Sequence, residues 1–213
     1  MEKLAIFDID YTLTKRETLF EFYMFLLKKK PHLIIHMPKG TIVSVLYALG
    51  IVEAAKAKSD FMTFIKGIHE DEIRELAKEF YRKRFSKIFY TDAINTLKRL
   101  KAQGYKIYLI SASAEFYLNE LYNIKEVDKV IGTRFKFVNG YYTGEIIGEN
   151  NKGEEKVRRL MEVLKEENIE VDFKESYMYS DSLADLPLLK LVGHPYLINS
   201  RKKINNIEIL HWK

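Results

Sequence analysis

Asp8 and Asp10 stand two residues apart in Phe-Asp-Ile-Asp-Tyr-Thr (residues 7–12), directly behind the apolar run Leu4-Ala5-Ile6-Phe7. A run that apolar predicts a strand buried in a parallel sheet, where an ionised side chain costs several kcal/mol unless a partner or a metal balances it. On an extended chain, alternate residues point to the same side, so the spacing predicts two carboxylates facing one ligand. The chain has no cysteine, and its five histidines form no metal-ligand cluster. His32 and His36 have i,i+4 spacing but read as a polar flank. Any metal is therefore left to oxygen ligands, which suits magnesium.

The other strand ends carry matching chemistry. Ser111 follows the strand pattern of residues 105–110, Lys152 opens a charged helical stretch, and Asp181 and Asp185 follow a strand expected at residues 176–180. In open α/β sheets, ligands bind at the carboxyl ends of the strands, which would gather these residues. Asp181 adds a third anion, and a divalent cation is the natural way to hold three carboxylates together. Lys152 and the Ser111 hydroxyl, with loop N–H groups near Ile9 and Asp10, supply the cation and donors that a phosphate needs. Each residue also has a plainer reading. Asp8 and Asp10 fit a turn, Ser111 a solvated strand end, and Asp185 a helix cap. Lys156, one helical turn after Lys152, competes for the lysine's place but reads as a solvated helix face.

These positions need an alternating scaffold, and the sequence supplies one. After the first strand, apolar residues recur at helical spacing from Leu19 to Leu27 and again around residues 40–50, 54–66 and 70–85, without an intervening strand. Alternation then resumes. A helix from Asp92, as its cap, to Lys101 ends at Gly104, and a strand over residues 105–110 stops at Ser111. A helix near 114–123 follows, then a hairpin turning at Asn139-Gly140 and a helix near 152–168. The strand at 176–180, a short helix near 184–190 and a strand near 196–198 complete the pattern. The fold class expected is α/β, a doubly wound parallel sheet with a helical cap inserted after strand one. The core would span residues 1–14 and 90–213, and the cap residues 15–89.

FDIDYT, Ser-Ala-Ser at 111–113, Asn-Lys-Gly-Glu at 151–154 and Ser-Asp-Ser-Leu-Ala-Asp-Leu-Pro-Leu-Leu at 180–189 resemble the four motifs of the haloacid dehalogenase superfamily, in that family's order. The arrangement is most similar to its phosphoserine phosphatase branch, and the resemblance covers nearly the whole chain. It implies a Rossmann-like core and a magnesium-dependent phosphatase working through an aspartyl phosphate. Asp8 would be the nucleophile and Asp10 the general acid and base. Magnesium would be held by the Asp8 carboxylate, the Asp10 main-chain carbonyl and the Asp181 carboxylate. Ser111 and Lys152 would grip the phosphoryl oxygens, with Asp185 supporting the metal's water shell or Lys152. Tyr11 and Ser182 depart from the family's pattern, standing where Gly is common. Glu17 occupies the place of a Glu that binds the substrate's ammonium in phosphoserine phosphatases, and it also reads as a first-turn helix charge. Phe61 stands where those enzymes carry a carboxylate-binding Arg, which points away from phosphoserine as substrate.

Composition bounds what remains. A 213-residue chain that is 47% hydrophobic can bury one good core and a small second module. The N-terminus enters a strand directly, without a signal-peptide pattern, so the expected location is cytoplasmic. Residues 15–89 hold 15 Lys+Arg against 9 Asp+Glu, and the rest 20 against 21, so the net charge of +5 arises in the insert. Such a bias attracts anions. Its charges are interspersed and form no stripe with aromatic platforms, which disfavours nucleic acid. The apolar run Thr41–Val52 is too short to span a bilayer of about 30 Å. It reads as cap packing or a homodimer contact, or as a greasy substrate site or peripheral membrane contact beside Lys28, Lys29 and Lys30. The competing functions are a phosphotransferase with an alcohol acceptor, a lipid-phosphate phosphatase at the membrane surface, and a non-catalytic binding module.

Overall fold

The computed structural model describes residues 1–36 and 63–213. The helical periods expected at 40–50 and over most of 54–66, the apolar run Thr41–Val52 and the Phe61 position lie outside the described residues. Strand β1 (Leu4–Phe7) is buried along its whole length and pairs in parallel with β2 (Lys106–Ala114) on one side and β6 (Tyr177–Ser180) on the other. The sheet order is β3-β2-β1-β6-β7-β8, with β3 at Val127–Thr133, β7 at His194–Ile198 and β8 at Glu208–Leu210, and every pair is parallel. The chain leaves β1 for one half of the sheet and returns through β6 to the other. The crevice beyond β1 is therefore the topological switch point, where such sheets bind ligands.

Alternation along the strands divides the core. Ala5, Phe7, Ile107 and Leu109 face Phe22 and Leu26 of α1 (Thr18–Lys29), Ala77 and Phe80 of α2 (Glu70–Lys83), and Leu97 and Leu100 of α3 (Thr91–Ala102). Leu4, Ile6, Tyr108 and Ile110 face the opposite layer. There they meet Leu160 and Leu164 of α5 (Glu154–Glu166), and Leu188 and Leu189 of α6 (Leu186–Leu191). Helices thus cover both faces, which is why β1 carries no polar alternation. The Phe80 ring lies 5.2 Å from Phe22 and 6.0 Å from Tyr117 of α4 (Glu115–Leu118), so it joins α2 to α1 and to the chain leaving β2.

Several local expectations are met by recognisable chemistry. Asn139 and Gly140 both adopt positive φ, 50° and 80°, as the two-residue turn between β4 (Phe135–Val138) and β5 (Tyr141–Ile146) requires. Helix α3 ends in a Schellman motif: Gly104, at φ 87°, donates to Lys101 O, and Tyr105 N donates to Leu100 O. Asp92 is not its cap. Tyr90 takes that position, and the Asp92 carboxylate accepts instead from Lys213 N at 2.7 Å.

Other expectations needed correction. Strand β2 runs past Ser111 to Ala114. The helix expected near 114–123 is the single turn α4 followed by a 3-10 segment, Asn119–Asn123. Strands β3 and β8 were not anticipated, and both are sheet edges. In β3, Asp128 carries the charge typical of an edge: it pairs with Lys101 at 2.6 Å and accepts from Ile107 N, and this breaks the apolar run that marks a buried strand. Within the Lys28–Lys30 run, Lys29 pairs with Glu79 at 2.6 Å and Lys30 with Glu72, tying α1 to α2.

Candidate active site

Parity places Asp8. Leu4, Ile6 and Asp8 fall on the sheet face covered by α5 and α6, so the first residue past β1 points toward those helices. There Lys156 Nζ donates at 2.7 Å to Asp8 Oδ1 and at 2.7 Å to Asp185 Oδ2, with all three side chains buried. Ser180 Oγ also donates to Asp185 Oδ2, at 2.8 Å. Asp185 precedes α6 but makes no side-chain cap bond, so its carboxylate serves Lys156.

The lysine beside Asp8 is Lys156, and Lys152 is exposed. The reason is where α5 begins. Gly153 stands at its N-terminus with φ 61° and ψ −126°, a conformation open essentially to glycine, so the helix starts only at Glu154. Lys156 then shares a face with Leu160, Val163 and Leu164, whereas Lys152 lies before the first turn. A lysine in phase with an apolar stripe was the available signal.

Asp10 faces a different way. Its Oδ1 accepts from Thr18 N, the first residue of α1, at 2.6 Å, and its Oδ2 accepts from Ser113 Oγ at 2.7 Å and Ser111 Oγ at 3.4 Å. Thr18 Oγ1 donates to Ser113 Oγ at 3.3 Å and lies 3.2 Å from the Tyr117 hydroxyl, which extends the chain of hydroxyls behind Asp10. Strand alternation is therefore not what brings the two acids together. The strand ends at Phe7, and the chain turns about Ile9, whose carbonyl accepts from Thr12, Leu13 and Thr14 N. Ser113 closes the Ser-Ala-Ser stretch of the sequence, where only Ser111 has an expected role, and Thr18 is marked by neither motif nor periodicity.

Asp181 completes the rim of the crevice. Its main-chain N donates to Thr12 Oγ1 at 2.8 Å, locking the loop after β6 to the loop after β1. Asn151 secures the third loop, donating through Nδ2 to Ser111 O at 2.9 Å and to Ile131 O at 3.0 Å. Ser182 keeps an extended backbone and accepts from Ala184 N, so glycine is not needed there. Tyr11 does adopt the left-handed φ of 59°, which explains why glycine suits that position. Glu17 caps α1, accepting from Phe20 N at 2.7 Å, as the first-turn reading has it.

Electrostatics single out the same cluster. Burial pushes the Asp8 carboxyl up to about 8, with Lys156 opposing and Asp185 and Asp10 adding to the rise. Asp181 is pushed up to about 6, by burial first and then by Asp185. Lys156 stays cationic because Asp8 and Asp185 outweigh the burial that works against its charge. Lys156 pairs with Asp8 and Asp185, while Asp10 adds its charge at Asp8 and also at Asp181, so the excess of hard, anionic oxygen suits a magnesium ion. Among the described residues, no three His, Asp or Glu side chains form a metal-holding group by themselves. The expected set needs only two, from Asp8 and Asp181, with the Asp10 carbonyl, and leaves the remaining positions to water or phosphate. The residues fit the ion on those terms.

A family model described as haloacid dehalogenase-like hydrolase matches residues 5–190. The chain is 26% identical to a histidinol-phosphatase of Neisseria meningitidis over 93% of its own length and 91% of that protein's. Among solved structures, a protein of unknown function from Bordetella pertussis superposes with a TM-score of 0.87 at 23% identity, covering 99% of this chain and 98% of that one. A substrate-bound phosphoserine phosphatase superposes with a TM-score of 0.67 at 19% identity, covering 98% and 93%. At these identities the structural likenesses speak for the fold.

Proposed function

Because the chain belongs to the haloacid dehalogenase-like hydrolase family, we propose that it hydrolyses a small phosphomonoester at the crevice beyond β1, in two steps through Asp8. The observation that carries the proposal is the separate anchoring of two neighbouring acids. Asp8, just past the carboxyl end of β1, is buried against Lys156, while Asp10 is held by hydroxyl and amide donors. The difference in surroundings supports a division of labour in which one acid attacks and the other moves a proton.

In the first step an Asp8 carboxylate oxygen bonds to phosphorus as the ester P–O bond breaks, and Asp10 gives its proton to the leaving oxygen. In the second, Asp10 takes a proton from water, whose oxygen bonds to phosphorus and displaces Asp8, releasing phosphate. Ser111, a hydroxyl beside Asp10, and Lys156, the cation beside Asp8, would serve the transferring phosphoryl group as donor and cation. Asp8, Asp181 and the Asp10 carbonyl would hold magnesium, which would supply charge neutralisation at the phosphoryl oxygens. Asp185 acts through Lys156. Residues 15–89, the expected cap, would cover the leaving group and select it. The names of the relatives, a histidinol-phosphatase and a phosphoserine phosphatase, are consistent with a small metabolite.

The test is release of p-nitrophenol from p-nitrophenyl phosphate by wild type and Asp8→Asn, each with magnesium and with chelator. Activity that requires both Asp8 and the metal is expected. Equal rates for the two proteins, or full activity in chelator, would sink the mechanism.

A further inference from the structure

Beside Asp181, a cleft of about 420 Å³ opens between the loop after β1, the loop after β6 and the segment joining β7 to β8. Its walls include Tyr11, Tyr90, Asp181 and Asn199, and Arg201 and Lys202 line it as well. We infer that this cleft is a substrate subsite that takes a second anionic group, phosphate or carboxylate, carried by the same molecule as the ester phosphate. The inference rests on the phosphomonoesterase reading and names the class of substrate.

Three observations support it. First, the cleft adjoins the reacting centre: Asp181 is part of its wall, and so is Tyr11, which directly follows Asp10. A ligand that reaches Asp181 from the cleft therefore shares the cleft wall with Tyr11.

Second, the cationic segment is fixed. Asn199, at φ 49°, donates through Nδ2 to Trp212 O at 3.2 Å and accepts at Oδ1 from Trp212 N at 3.0 Å. Ser200 Oγ accepts from Lys202 N and donates to Lys202 O. The turn that carries Arg201 and Lys202 is thus closed at its base and within itself, which lowers the ordering cost of binding. A third cation stands near, since Lys15 Nζ lies 5.7 Å from the centre of the Tyr90 ring.

Third, Tyr11 is a costly residue where it stands. A bulky side chain at positive φ is strained, and strain of this kind persists where the side chain has work to do. The Tyr11 ring, 48% exposed, is spent on the wall of this cleft and buries nothing in the core.

Arginine and lysine on an ordered turn suit an anion and repel an ammonium. A substrate whose leaving group carries a second phosphate or a carboxylate would be favoured over one carrying only an amine. The experiment compares kcat/KM for three esters of matched length: an alkanediol monophosphate, the corresponding bisphosphate, and the ω-carboxyalkyl phosphate. Chains of three to six carbons are tried, on wild type, Arg201→Ala/Lys202→Ala and the charge-matched control Lys98→Ala/Lys125→Ala. The preference of wild type for at least one doubly anionic ester over the monophosphate should fall about tenfold or more in the first variant and stay in the control. The arm that loses more identifies phosphate or carboxylate. An unchanged preference in Arg201→Ala/Lys202→Ala, an equal loss in the control, or no preference in wild type would overturn the subsite while leaving the phosphatase intact. Failure of wild type to release phosphate from any ester would instead refute the phosphatase reading, and the subsite with it.

Discussion

Replacing Lys156 by Met keeps a flexible chain of similar length and removes the charge. Both anions that Lys156 holds, Asp8 Oδ1 and Asp185 Oδ2 at 2.7 Å, then lose their buried cation. Removing one partner of a buried ion pair costs about 3–5 kcal/mol, because the survivor remains desolvated and unpaired. Asp8 can escape by taking up a proton, and, pushed up to about 8, it already holds one over most of the neutral range. The loss should therefore be largest in alkaline solution and shrink as the pH falls. Urea denaturation followed by far-ultraviolet circular dichroism, between pH 5.5 and 8.5, measures it. Lys156→Met/Asp185→Asn removes a charge from each sign and should recover part of the loss, with a coupling of about 1–3 kcal/mol in the double-mutant cycle. Phosphate release should fall about 100-fold to 1000-fold in Lys156→Met, as for loss of one preorganised electrostatic contact to a transferring group. Lys152→Ala, at an exposed position, should cost less than about 0.5 kcal/mol. The reasoning is refuted if Lys152→Ala impairs turnover as much as Lys156→Met, or if Lys156→Met is as stable as wild type at pH 8.5.

Three further outcomes follow from the same geometry. Asp181 and Asp8 bind protons more tightly folded than unfolded, so between pH 4 and about 6 for Asp181, and up to about 8 for Asp8, rising pH should destabilise the protein in chelator. Thermal melts with saturating magnesium should abolish that decline, and a melting temperature that rises with pH in chelator would contradict it. Ser113→Ala removes the 2.7 Å donor that orients Asp10, so kcat should fall roughly tenfold with KM little changed, and Ser113→Thr should restore most of it; steady-state kinetics on p-nitrophenyl phosphate decide this. Gly140→Ala must hold φ at 80° and place its Cβ 2.5 Å from His69 Nε2, at a turn whose carbonyl accepts from Glu70 N. It should cost more than the roughly 1–2 kcal/mol of the left-handed backbone alone, and Gly148→Ala, at φ 73° in open space, should pay only that strain. Urea midpoints of the two variants make the comparison.

Much of the architecture was legible because its signals are local. The unbroken apolar run of β1, the Asn139-Gly140 turn and the Gly104 helix end each state a backbone requirement within a few residues. The acids Asp8, Asp10, Asp181 and Asp185 were recognisable for the same reason, since each sits just past a strand or at the mouth of a helix. The edge strands β3 and β8 were not legible: an edge needs neither a long apolar run nor two buried faces, and Asp128 and Lys129 disguise β3 as loop.

What the tertiary structure alone decided is how these residues face one another. Two lysines four residues apart were both in reach of the motif, and the choice fell to Lys156 because the backbone of Gly153 sets where α5 starts and hence which side chain turns inward. Ser113 and Thr18 meet at Asp10 across 95 residues of chain, through β2 running on to Ala114, beyond its expected end. Arg201 and Lys202 reach the neighbourhood of Asp181 only because β7 pairs beside β6. Local sequence determines which groups can carry charge and which backbone angles are affordable. The direction of a side chain depends on helix phase and strand register, and those are set by packing between segments far apart in the chain.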